Sequence, residues 1–352
     1  MTEYYVSDGG NNGNTGLSHA QAWLTLQYGF DNMPNTAGNR LNINGSFTLS
    51  AEIDLTTFGN TNEPVRFQGY TSTAGDGGVA DIDCATFQFI DTAYNAMHFR
   101  HLKFTNWGSV ECIDVQDYNS IIECEFDGEG ARARAATLGT GGVFAHNKVH
   151  DMAGSGTTAI VSVFTGWCRG NYIQTTGGRA LSNNVTNTIA NVISMDSTDS
   201  NAVGIYMQGD ELVCEGNTVF NQAAGTGTGI SWLAADMFTL VVNNIICGFS
   251  GTGGVGYGST GSHEGIFGYN KFFNNETNVS VSGNPRRFID LGNNDTLLAN
   301  PFKSTGNADP NDDDFELSTG ITGWPGQLWD PDGTFGTRNQ HFISVGALQE
   351  AP

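Results

Sequence analysis

The chain has 352 residues and carries 36 Asp and Glu against 14 Lys and Arg, a net charge of −22. That balance disfavours nucleic acid and anionic membrane surfaces as partners, since both are held by clustered Lys and Arg. Abundant Gly (48), scarce Pro (8), 38% apolar and 11% aromatic residues describe a folded protein built on many tight turns, not a disordered one.

Residues 1–35 read as an N-terminal cap. A strand is expected over 4–7, then a Gly- and Asn-rich loop. Ser18 stands where it could N-cap a helix over 19–28, with Trp23, Leu24 and Leu26 turned inward. The opening has no charged segment followed by an apolar run, so no secretory leader is expected, and no stretch is long enough to span a membrane. Localisation on a virion or other particle surface is the expectation, or secretion if a leader has been removed. Residues 36–284 read as coils. Irregular early strands are expected over 41–43, 65–67 and 86–90.

From residue 100 a phrase recurs: Asn, any residue, then an apolar residue. Its copies start at Asn147, Asn171, Asn191, Asn217, Asn244 and Asn270, with Leu102 and Cys124 taking the first position in two earlier copies. The steps are 22, 23, 24, 20, 26, 27 and 26 residues, a period that means a solenoid. A second short apolar strand precedes most copies, as at Cys112 to Val115 and Ala159 to Val163. Each coil therefore holds at least two strands, with a third expected in the remainder. Beyond residue 285 the period lapses. The segment 285–352 is expected to close the stack, with strands over 315–317 and 342–345. The six cysteines form no CxxC pair and fall in or beside strand phrases, which favours small buried hydrophobes over zinc ligands or disulfides.

The opening, Tyr5 to Gly10 and Ala22 to Gln27, and the close, Asp314 to Leu317 and Val345 to Gln349, resemble right-handed parallel β-helix proteins of the pectate-lyase-like superfamily. With the Asn repeats, the resemblance covers nearly the whole chain. It implies an all-β fold: a single-stranded right-handed parallel β-helix solenoid with an N-terminal helical cap and an irregular C-terminal closure, one continuous domain. The superfamily includes polysaccharide lyases, glycoside hydrolases, bacteriophage tailspikes and virion proteins, and fold alone does not choose among them. Its lyases pair a calcium-binding acidic cluster with Arg or Lys bases. No motif here matches theirs residue by residue.

Stacking makes residues of equal phase neighbours about 4.8 Å apart. The six Asn are expected to form an inward ladder with a structural role. One and three positions later the side chains should face out, and one outward sector gathers Glu125, Asp127, Arg132, Lys148, His150, Asp151 and Arg179. Asp127 and Asp151 could serve as the two carboxylates of glycoside hydrolysis. Alternatively Lys148, His150 or Arg132 could be the base of a β-elimination, with Glu125 and Asp127 holding Ca²⁺. Glu125, Arg179, Trp324 and Trp329 are candidates for glycan contact. Asp309, Asn311 and Asp313 have the spacing of a calcium loop but lack its Gly and its final Glu, so a surface turn is favoured. No cofactor is expected beyond Ca²⁺.

Three functions fit. The first is a structural protein of a virion or particle surface, as of a bacteriophage, whose partners are other particle proteins and surface polysaccharide. The second is a lyase or hydrolase acting on an acidic polysaccharide. The third is a cell-surface adhesin. Homo-oligomers are compatible with all three, and whether the chain is an enzyme is left open.

Overall fold

The computed structural model describes residues 2–299 apart from short segments (35–37, 56–63, 210–211, 234–236, 261–262 and 283–286) and residues 93, 109, 133, 155, 224 and 293. It also describes 302–304 and 314–317. The chain folds as a right-handed parallel β-helix. Each coil runs through three strands in a fixed order. One coil shows the pattern: Gly142–Ala145 on a first ladder, Lys148–Met152 on a second, and the start of Ala159–Arg169 on a third. The second ladder is a sheet of 11 strands. The first and third merge into one of 19, because Ala159–Arg169 and Arg179–Ile189 pass from one to the other without a break.

The interior is a set of stacked rows. On the second ladder Phe104, Phe126, Val149, Ile173, Ile193, Val219, Ile246 and Phe272 follow one another in register, and all are buried. These are the apolar third positions of the repeated phrase. Toward the N-terminus the rows turn aromatic, with Phe67 on Phe99 at 5.2 Å and Phe104 on Phe126 at 5.1 Å between ring centroids. All six cysteines are free and buried, as the sequence leads one to expect.

The first position of the phrase makes the bend between the first and second ladders. Each Asn side chain there is buried and ties three coils together. The Asn191 amide donates to the Cys168 carbonyl of the preceding coil (3.0 Å) and to Asn217 Oδ1 of the next (3.0 Å). Its own Oδ1 accepts from the backbone N–H (3.1 Å) and side chain (2.9 Å) of Asn171. The same set repeats from Asn147 to Asn270 and ends on Asn294, one copy beyond the phrase. At the other end the Cys124 N–H donates to Asn147 Oδ1, so the ladder starts where Asn first appears. The residue before each phrase has a positive φ, and at most bends it is not Gly: His101, Glu123, His146, Ala190, Asn243 and Tyr269. That conformation is unfavourable for a side-chain-bearing residue. From His146 onward the Asn hydrogen bonds hold the bend against it.

Three expectations are corrected. The cap does not hold a helix over 19–28. A 3₁₀ turn occupies His19–Gln21, and the α-helix is Leu26–Asn32, capped by the Thr25 hydroxyl, which accepts from the Tyr28 N–H. Ala22 and Trp23 are extended instead: Trp23 bridges to Val6 and packs inward with Leu26, while Leu24 is exposed. The helix seats Phe30 on Phe67 at 4.5 Å and so plugs the stack. Gly29 permits this, since a Cβ there would lie 2.4 Å from the Val6 side chain. The strand expected over 86–90 lies at Ile90–Thr92, because Ala85 and Thr86 turn the chain with positive φ. The outward positions of the second ladder are also not uniformly solvated. Tyr172, Val192, Phe220, Ile245 and Cys247 are buried and form a second apolar cluster on the outside of the coil, with Ile189, Phe273 and Leu297 packed against it. Strand Asp314–Leu317 is present, paired antiparallel with Phe302–Ser304. Trp324, Trp329, Asp309, Asn311, Asp313 and the strand expected over 342–345 lie outside the described residues.

Replacing Asn191 by Ala removes the acceptor of the buried Asn171 N–H and one of the Asn171 amide's acceptors, the Phe144 carbonyl (2.9 Å) being kept, and takes the Asn191 donor from the Cys168 carbonyl. A buried unpaired group costs about 1–3 kcal/mol. Asn191→Ala should therefore destabilise the fold by on the order of 3 kcal/mol or more in denaturant melts, whereas Lys148→Ala on the exposed outer row should have little effect.

Candidate functional site

The sector read from the sequence is partly assembled. On the outer face of the second ladder Lys103, Glu125 and Lys148 stand in register in one row, and Thr105, Asp127 and His150 in the next. Lys103 Nζ is 3.0 Å from Glu125 and 3.8 Å from Asp127. The His150 ring is the hub. Its Nε2 lies 3.0 Å from Glu125 Oε1 and its Nδ1 2.7 Å from Asp151 Oδ2, and the residue is buried. Asp151 can reach back to its neighbour because its φ is positive, and its N–H donates to Gln174 Oε1. The hydrogen bond from His150, together with Lys103, holds the Glu125 carboxyl down at about 2. Burial works against the charged imidazole, but Glu125 and Asp151 outweigh it, so the His150 pKa is raised.

Glu125, Asp127 and His150 bring one ligand atom each within 4.8 Å of one another, and this is the place among the described residues where a metal ion could be held. The Lys103 ammonium already supplies a cation there, and both ring nitrogens face carboxylates. The groups satisfy one another, as in a stabilising ion network. Lys148 is exposed in the outer row, and the described residues say nothing of the Arg132 side chain. Arg179 is not part of this sector. It stands on the third ladder, with its guanidinium 3.5 Å over the Tyr206 ring.

The third ladder carries a group the sequence reading missed. Asp91 and Asp114 face outward on neighbouring strands, in register. Glu111 hydrogen-bonds Asp114 and is itself held by Arg134 Nη1 (3.2 Å) and the Thr137 hydroxyl (3.4 Å). Buried Trp107 donates its indole N–H to the Arg134 carbonyl (2.7 Å), which anchors that segment. The Asp91 N–H donates to Glu52 (3.0 Å). Burial, reinforced by the charges of Glu111 and Asp91, raises the Asp114 carboxyl to about 6. Along the same outward row follow Thr137, Ser162, Ser182 and then Tyr206 with its Arg179, and Phe164 is exposed nearby on the Ser162 strand. Carboxylates on two successive outward positions would have been visible in the sequence had the early strand been placed on Asp91 instead of ending at residue 90.

No family model matches the chain, and no curated protein does. Among solved structures it is similar to pectate lyase Pel9A, with a TM-score of 0.43, 14% identity, and 99% of this chain and 96% of that chain covered. It is also similar to a rhamnogalacturonan lyase (0.40, 11%, 79% and 75%) and to a GH136 lacto-N-biosidase from Eubacterium ramulus (0.37, 11%, 85% and 68%).

The pair Glu125–His150 should show in a stability profile. Glu125 has a folded pKa below its ordinary 4.5, so its contribution is complete above about 4.5 and is lost as pH falls toward about 2. His150 has a folded pKa above its ordinary 6.5, so its contribution is complete below about 6.5 and is lost as pH rises through the folded value. The melting-temperature difference between the wild type and His150→Ala should thus be widest between about pH 4.5 and 6.5.

Proposed function

We propose that the protein cleaves a glycosidic bond of a polysaccharide laid across the outer face of the third ladder. The observation that carries this reading is Asp114, a carboxyl held protonated up to about pH 6 next to the in-register carboxylate of Asp91. A carboxyl held protonated by burial beside a second carboxyl group is the arrangement of an acid and its partner. Adjacent strands are about 4.8 Å apart. That is near the ~5–5.5 Å between the two carboxyl groups of retaining glycosidases. Asp114 then gives its proton to the leaving oxygen as the C–O bond breaks. Asp91 takes the anomeric carbon, and water, deprotonated by Asp114, releases the sugar. Glu111 and Arg134 hold Asp114 in place. Thr137, Ser162 and Ser182 offer a line of hydroxyls for the neighbouring sugars.

A half-buried carboxyl crowded by like charges lowers stability once it ionises and contributes nothing to packing. A purely structural particle-surface or adhesin role gives no reason for it, and a catalytic role does.

The test is a panel of acidic and neutral polysaccharides, followed by new reducing ends and by unsaturated-uronate absorbance. Reducing ends without that absorbance are expected, falling as pH rises above about 6. Asp114→Asn and Asp91→Asn should each lose about 10²-fold or more. Loss on His150→Ala with full activity in Asp114→Asn would overturn the assignment. The folded pKa of Asp114 lies above its ordinary 3.8, so its stability contribution is present below about 3.8 and is lost as pH rises through about 6. Asp114→Asn should therefore melt higher than the wild type at pH 7 even as it loses activity.

A further inference from the structure

The outer face of the first ladder does not share the acidity of the chain. In one outward row Arg40, Arg66, His98, Ser120, Val143 and Trp167 follow in register. The parallel row is Asn42, Gln68, Arg100, Ile122, Ala145 and Arg169. Four of the chain's arginines are therefore gathered on one face, in a protein with 36 acidic residues. The acids in these rows stand toward the ends: Glu3 pairs with Arg40 at 3.3 Å, and Glu215 lies two strands beyond Arg169. Glu123, at the bend, pairs with Arg100 and with His101 (2.8 Å). Arg66 and Arg169 are exposed and make no ion pair among the described residues. Burial together with these arginines keeps two histidines at this face below their ordinary pKa: His98 beside Arg66, and His146 beside Arg169.

Shape agrees with charge. Between the two ends stand the uncharged Ser120, Ile122, Val143 and Ala145, the first and last buried and the other two half-buried. Arg66 and Trp167 are four strands apart, about 19 Å at the usual strand spacing. Trp167 is 44% exposed, two residues before Arg169 on the same strand, so an aromatic face and a guanidinium project side by side. An uncharged strip edged by Arg66 and Arg169, unpaired among the described residues, and by an aromatic plate matches an extended sugar chain that carries anionic groups at intervals.

We propose that this face binds an anionic polysaccharide, with Arg66 taking an acidic group at one end and Trp167 with Arg169 holding a sugar and its acidic group at the other. The binding does not depend on the cleavage reading, since it uses another ladder and none of its carboxylates. The local positive field of the face, set within a strongly negative molecule, also fixes where a polyanion can approach at all.

The test measures binding, not turnover. Polygalacturonate and heparin serve as probes in affinity electrophoresis and titration calorimetry, with neutral dextran and a single-stranded oligonucleotide as comparisons. Binding to at least one anionic polysaccharide is expected, weakening between about 50 and 200 mM salt. The double variant Arg66→Ala/Arg169→Ala should bind at least tenfold more weakly and Trp167→Ala several-fold more weakly, while Asp114→Asn should bind as the wild type does. Melting curves check that the variants fold, and Arg169→Gln alone replaces the double variant if it does not. No binding to either polyanion, equal binding by the arginine variants, or tighter binding of the oligonucleotide would overturn the proposal.

Discussion

The fold depends on one hydrogen-bonded column, the Asn side chains at the bend between the first and second ladders. A parallel β-helix has to turn its backbone several times per coil, and at each turn main-chain groups point away from the ladders. Here the bend also asks for a left-handed residue, supplied by His146, Ala190 or Tyr269 as readily as by Gly170. An Asn amide answers both demands, because it offers an acceptor to the coil below and donors to the coils on either side. From Asn147 onward the column thus sets the phase at which each coil begins its second strand, and the outer faces inherit that phase.

Given a fixed phase, the three outer faces can differ in character without disturbing the core. The second ladder carries a mutually satisfied charge network around His150 and, further along, a buried apolar cluster. The third carries Asp114, a half-buried carboxyl crowded by Glu111 and Asp91. The first carries four arginines, of which Arg66 and Arg169 make no ion pair among the described residues. Charge is segregated by face, and the net value of −22 describes none of them. The first and third ladders share continuous strands, so the carboxyls of one and the arginines of the other lie on adjoining surfaces of the same sheet.

Much of this was legible in the sequence. The Asn phrase identified the solenoid, the inward row and the ladder itself, because side chains repeated in register leave a period that composition cannot imitate. The phase also brought Glu125, Asp127 and His150 together correctly. What it missed has physical causes. Ser18 looked like a helix cap, but the turn after it stops at Gln21, Ala22 and Trp23 are held extended beside Val6, and Thr25 caps the helix instead. Arg179 was placed by its nearness in sequence to the Asn phrase, whereas the short turn after Thr175 carries it to another face. Asp91, Asp114 and Glu111 escaped because their chemistry arises from burial and from one another, and a sequence prints neither. The arginines of the first ladder, scattered between residues 40 and 169, join only through register.

Coil length varies by several residues although the bend does not, and the surplus falls largely between the second and third ladders, as between Met195 and Val203 or Cys247 and Val255. An insertion or deletion there leaves the Asn column untouched and moves no row out of line. The molecule therefore separates the part of its chain that must keep count from the part that can drift. Loops edging the third ladder can change length, and with it the shape of whatever rests against that face, while the scaffold beneath keeps its register.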